Sequence, residues 1–102
     1  MPANLSPEVL QAASERIRIL SIDPKANYIF WPAVRVVLDQ NGWDKADVMD
    51  CLRECTAVEF ELFATNQRYR VTGQLTEDYG CEIVISVFEL EMTIEVIHLN
   101  AT

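Results

Sequence analysis

The sequence predicts an α+β protein in which about three N-terminal helices precede a four-stranded antiparallel meander that packs against them. Apolar residues recur at helical spacing up to Cys55, and from there to the end they alternate with polar residues. The 102 residues are 50% hydrophobic, enough to bury a core without disulfides or metal. We therefore expect one domain that spans residues 1–102.

The first helix is predicted over residues 7–20. Ser6 supplies an N-cap, and Pro7 occupies the first helical position, where its missing N–H costs nothing. Asp23-Pro24 ends the helix, because the residue before a proline disfavours the α region.

Two shorter helices follow in the sequence. Pro32 opens the second, and Asn41-Gly42 closes it with residues that tolerate the left-handed conformation. Asp44 caps the third, with Asp47 near its positive end. Its apolar stripe consists of Val48, Cys51, Leu52 and Cys55.

Four strands are predicted at AVEFELFA, RYRVTGQL, CEIVISVF and MTIEVIHL. In the first of these, Val58, Phe60 and Leu62 share one face. The third is apolar on both faces, which is typical of a central strand covered on both sides. Gly80 closes the hairpin turn between the second and third strands.

Charge and cysteine content limit the function classes. Sixteen acidic residues against eight basic ones give a net charge of −8, which repels nucleic-acid backbones. Three cysteines do not form a disulfide framework, and the chain has no membrane span. The N-terminal MPANLSPEVL lacks the basic and apolar regions of a signal peptide. We expect a cytoplasmic protein with reduced thiols and without metal or cofactor.

Candidate chemistry is concentrated on one predicted strand. Arg68, Arg70 and Gln74 share a face, where they could grip a phosphate through charge-assisted hydrogen bonds. The favoured alternative is pairing with neighbouring glutamates, which are Glu59, Glu61 and Glu82.

Two further polar residues share the parity of apolar neighbours. His98 is the only histidine, the residue type best suited to acid–base work at neutral pH. Its parity matches Ile94 and Val96, so we expect it on the core face. Tyr69 shares the parity of Val71, and its hydroxyl is expected at the rim of the sheet.

Aromatic residues at the predicted helix starts have two interpretations. Tyr28, Trp31 and Trp43 could form a partner-binding patch, since aromatic residues carry much interface energy. They could also lock the helices onto the sheet, which we favour. Acidic residues of the sheet half, among them Glu59, Glu61 and Glu95, offer a surface for a basic partner or an imitation of nucleic acid.

The stretches GWDKADVMDCLREC and YRVTGQ, with the hairpin and terminal strand that follow, resemble the MqsR-like and RelE-like small toxins and related phage- or plasmid-associated domains. The resemblance covers residues 27–99. It implies metal-independent cleavage of mRNA within a toxin-antitoxin pair. The positions that it implicates are Arg68, Tyr69, Arg70, Gln74 and His98.

Two departures from that group argue against catalysis. Related domains carry histidine and arginine at the start of the helix before the turn, where this chain has Phe30-Trp31-Pro32-Ala33. They are also basic. We therefore predict a toxin-like protein that acts by protein binding, with a second copy of the chain among the candidate partners. The alternatives are an active ribonuclease and an acidic, phage-type inhibitor of a nucleic-acid-binding defence complex.

Overall fold

The computed structural model describes residues 6–101, so the first five residues of MPANLSPEVL and Thr102 lie outside the described range. Within that range the chain forms three helices and five strands. In chain order they are α1 (Pro7–Ile22), β1 (Asn27–Phe30), α2 (Pro32–Asn41), α3 (Lys45–Leu52), β2 (Thr56–Leu62), β3 (Gln67–Gln74), β4 (Gly80–Phe88) and β5 (Thr93–Ala101). The predicted α+β class and its three helices are confirmed.

The predicted four-stranded sheet is wrong by one strand. The strands lie in the order β1-β5-β4-β3-β2, and β1 pairs in parallel with β5. Asn27 N–H donates to the Met92 carbonyl at 2.8 Å, and Trp31 N–H donates to Val96 at 3.0 Å. β1 also lies between α1 and α2, so the helices do not all precede the strands. A four-residue strand is too short to show an alternation, and its partner is distant in sequence.

Local sequence explains the ends of the helices. The Ser6 hydroxyl accepts a hydrogen bond from Val9 N–H at 3.3 Å, which caps α1 as predicted. Gly42 ends α2 with φ 68, a conformation in which a Cβ would be strained. The Asp47 carboxylate accepts from Asp44 N–H at 2.9 Å at the start of α3.

All three helices pack on one face of the sheet, which we call the inner face. Their buried side chains form one cluster with inward residues of the strands. The opposite face, called the outer face here, carries exposed side chains such as Glu59, Glu61, Arg68 and His98. β4 is the central strand, as predicted. The prediction that β4 is covered on both faces is wrong for the described residues, because Val84 and Phe88 on the outer face are only half-buried.

Two bulges shift the strand register, one in β2 and one in β5. Ala57 pairs with Val71 and Glu59 with Arg70, so Val58 is an extra residue in β2. Phe60 returns to the inner face, but Leu62 is 69% exposed, because the helices do not cover that end of the sheet. The prediction that Val58, Phe60 and Leu62 share one face is therefore wrong for Val58, which the bulge removes from the alternation.

No helix within residues 6–101 combines the length and the apolarity that crossing a bilayer requires.

Candidate functional site

Arg70 lies on the outer face between two glutamates. Its guanidinium forms an ion pair with Glu59 on β2 and another with Glu82 on β4, where Nη1 and Oε2 are 3.0 Å apart. The hydrogen bond to Glu59, reinforced by both carboxylates, raises the pKa of Arg70. Two carboxylates therefore compensate this charge, and the predicted pairing applies to Arg70.

Arg68 has a different environment two residues away. Its Nε donates to the Ser86 hydroxyl at 3.5 Å, and its guanidinium lies 5.0 Å from the centre of the Phe63 ring. Glu61 is its cross-strand neighbour. Within residues 6–101, however, no carboxylate lies within ion-pairing distance of Arg68.

His98 does not lie on the inner face, which corrects the parity prediction. Val96 pairs with Ile85 but His98 pairs with Val84, so Ile97 is an extra residue in β5. The bulge reverses the parity after Val96 and makes His98 exposed, while Leu99 becomes buried. His98 therefore shares the outer face with Arg70, two strands or roughly 10 Å away.

Tyr69 and Gln74 do not join the arginines. Tyr69 is 1% exposed on the inner face, where its hydroxyl accepts from Nη2 of Arg16 at 3.4 Å. The Gln74 amide donates to the Thr76 carbonyl at 2.8 Å in the hairpin loop. Gln74 lies four positions along β3 from Arg70, or roughly 13 Å away. The five residues that the toxin resemblance implicates therefore do not converge on one pocket.

The six predicted partner-binding residues also divide between the two faces. Tyr28 donates from its hydroxyl to the Ser21 carbonyl at 2.8 Å and packs against the core, where burial raises its pKa. Trp43 packs against the core as well, and its ring centre is 5.6 Å from that of Tyr79. These two aromatic residues secure helices and turns to the sheet. The remaining residues, Trp31, Glu59, Glu61 and Glu95, are accessible from the outer face.

A row of outward side chains crosses the sheet from edge to edge, and we call it the central row. The strand register places its members side by side in the order Glu61, Arg68, Ser86, Glu95 and Ile29. Trp31 extends it at one end, where the indole Nε1 donates to the Glu95 carboxylate at 2.9 Å. Phe63 stacks on Arg68 at the other end. The central row thus places one arginine and two carboxylates between two exposed aromatic residues.

Sequence reasoning missed three members of this surface. Ser86 is 3% exposed and is the one hydroxyl within the apolar run IVISVF, a signal that could have identified it. Phe63 follows the last residue of β2, and only the tertiary structure places it over Arg68. Ile29 belongs to the strand that was not predicted.

Among residues 6–101, no group of three or more histidine, cysteine or acidic side chains is arranged to hold a metal ion. Comparisons with protein-family models, with curated proteins and with solved structures find no match. The resemblance to MqsR-like and RelE-like toxins therefore stays a prediction.

Proposed function

We propose that this chain is a binding protein whose outer sheet face docks a basic surface of another protein. The observation that carries the proposal is the pairing of Arg70 with Glu59 and Glu82. A phosphate at Arg70 would have to displace both carboxylates, whereas a basic partner would meet the exposed carboxylates of Glu59 and Glu61.

Charge indicates the partner class. Four glutamates and two arginines on the outer face give it an excess of negative charge, and the whole chain carries −8. Glu61 and Glu95 are outside the two ion pairs of Arg70. Their chemistry fits a lysine- and arginine-rich surface such as that of a nucleic-acid-binding protein, and it disfavours a second copy of this acidic chain.

Exposed apolar side chains supply anchors for such a contact. Ile29 is 49% exposed, Trp31 is 41% exposed and Phe63 is 39% exposed. Large aromatic residues surrounded by polar groups are frequent binding hot spots. The face is a better docking surface than the sheet edges, because β2 carries a bulge with charged residues and β1 is short and runs into Pro32.

In this proposal the chain shares the fold of the toxin-like group but not its ribonuclease activity. The departures at Phe30-Trp31-Pro32-Ala33 and the acidic charge support that distinction.

Binding to short synthetic peptides, measured by fluorescence anisotropy, tests the proposal. We expect lysine- and arginine-rich peptides to bind, acidic peptides of equal length not to bind, and affinity to fall as ionic strength rises from about 0.05 to about 0.5 M. Glu61→Lys combined with Glu95→Lys should weaken binding about tenfold or more.

The matched control is Glu15→Lys combined with Asp39→Lys, which changes the net charge equally on exposed helix positions. Equal weakening by both double variants would show that binding follows net charge and not the outer face. No binding of any basic peptide at low salt would remove the proposal.

A ribonuclease is the second candidate, and the bulge at Ile97 favours it by placing His98 on the same open face as Arg68 and Arg70. Cleavage of RNA by the purified protein, lost in Arg70→Ala and in His98→Ala, is the result that this function requires. Intact RNA together with normal growth on expression would exclude it.

A further inference from the structure

The structure brings two buried thiols from distant parts of the chain into contact. Cys51, in the last turn of α3, and Cys81, near the start of β4, have their Sγ atoms 3.4 Å apart. They are 3% and 1% exposed. Neither thiol takes part in the proposed binding surface, which lies on the other side of the sheet.

Gly73 creates the space in which the two sulfurs meet. It is the cross-strand partner of Cys81. A Cβ at Gly73 would lie only 2.6 Å from Cys51 Sγ, so the sulfur occupies the volume that a side chain would otherwise fill. An S–S bond of about 2.05 Å requires the two sulfurs, which are 3.4 Å apart, to approach by about 1.4 Å.

We propose that Cys51 and Cys81 are a reversible dithiol–disulfide pair that locks α3 onto the sheet when the thiol pool is oxidised. The oxidant is a low-molecular-weight disulfide. The Cys51 thiolate attacks it, forms a mixed disulfide and releases one thiol. The Cys81 thiolate then attacks Cys51 Sγ and releases the second thiol. One small disulfide is thereby reduced to two thiols while the two cysteines are oxidised.

The two thiols differ in pKa, and this difference indicates which of them attacks the small disulfide first. The hydrogen bond with Cys81 lowers the pKa of Cys51, which favours its thiolate as the attacking group. The same hydrogen bond and burial raise the pKa of Cys81. Burial raises the pKa of Cys55 to about 12, so this third thiol is a poor attacking group at neutral pH. Since both partners are buried, reaction requires local opening of the eight-residue α3.

Oxidation of the full chain with glutathione disulfide, followed by alkylation and tryptic digestion, tests the pair directly. The three cysteines fall in three tryptic peptides, residues 46–53, 54–68 and 71–102. We expect a link between the first and third peptides, a protein mass lower by the two hydrogens lost, and a Tm raised by roughly 10 °C that dithiothreitol reverses. Cys55→Ala should keep the link, and Cys51→Ala should abolish it.

The wild-type peptide map decides the outcome even where a variant folds poorly. A Cys51–Cys55 link, a stable glutathione adduct, a link between chains, or Cys51 and Cys81 thiols that stay unreacted after prolonged oxidation would each overturn the proposal.

Discussion

Replacing Gly73 with alanine should destabilise the protein through one contact. The new Cβ would stand 2.6 Å from Cys51 Sγ, whereas its next neighbours, the Cys51 carbonyl oxygen at 3.6 Å and Cys55 Cα at 3.7 Å, are ordinary contacts. Apolar heavy atoms pack at roughly 3.5–4 Å, so the overlap with sulfur is about 1 Å. Only Cys51 has to move, and moving it breaks its contact with Cys81.

Forced insertion of a methyl group into a packed site costs about 1–3 kcal/mol. The lower conformational entropy of unfolded alanine returns about 0.5–1 kcal/mol of this cost. Gly73→Ala should therefore lower the free energy of unfolding by about 1–2 kcal/mol, which corresponds to a fall in Tm of roughly 5–15 °C.

The same substitution in a Cys51→Ala background should be neutral or slightly stabilising, because the new methyl enters the space that the sulfur has left. Urea denaturation of all four proteins, followed by the fluorescence of Trp31 and Trp43, measures the coupling energy between the two sites. We expect about 1–2 kcal/mol. An equal cost of Gly73→Ala in both backgrounds would show that the Cys51 sulfur does not occupy this space.

Three further predictions can be tested by equilibrium unfolding. The buried Ala57 N–H donates to the Ser14 hydroxyl at 2.8 Å. Ser14→Ala removes this acceptor and should lower the free energy of unfolding by about 1–3 kcal/mol. The control Ser21→Ala should lower it less, because the Ser21 hydroxyl only donates to a carbonyl of its own helix. Met92 has φ 48, so Met92→Gly should be about 1–2 kcal/mol more stable than Met92→Ala, and equal stability would mean that this backbone is unstrained. Burial raises the pKa of Cys55 from 9.0 to about 12, so the folded state retains a proton that the unfolded chain loses, and stability falls as pH rises from 9 to 12. Cys55→Ala should have a shallower decline over that range, and an unchanged slope would contradict this assignment.

Helix positions could be predicted because their signals are local. Ser6, Pro7 and Gly42 act within one turn of the backbone that they cap, and the structure uses each as the sequence indicates. β1 could not be predicted, since four residues between two helices gain their strand geometry from hydrogen bonds to β5. Its parallel partner lies more than half the chain away.

The candidate site was predictable only in part. Alternation in RYRVTGQL correctly placed Arg68 and Arg70 opposite Tyr69, whose side chain is buried on the inner face. The same rule failed for His98, because a bulge is a property of two paired strands and leaves no mark in the sequence of one.

The sequence by itself determined the α+β class, the three helices, the four longer strands and the acidic charge, since each depends on composition or on spacing within one segment. Only the tertiary structure decided which side chains meet. It pairs Arg70 with two glutamates and places Arg68 against Ser86 and Phe63. It also brings Cys51 into contact with Cys81. These contacts join segments that are distant in sequence, and no single segment encodes the register between them.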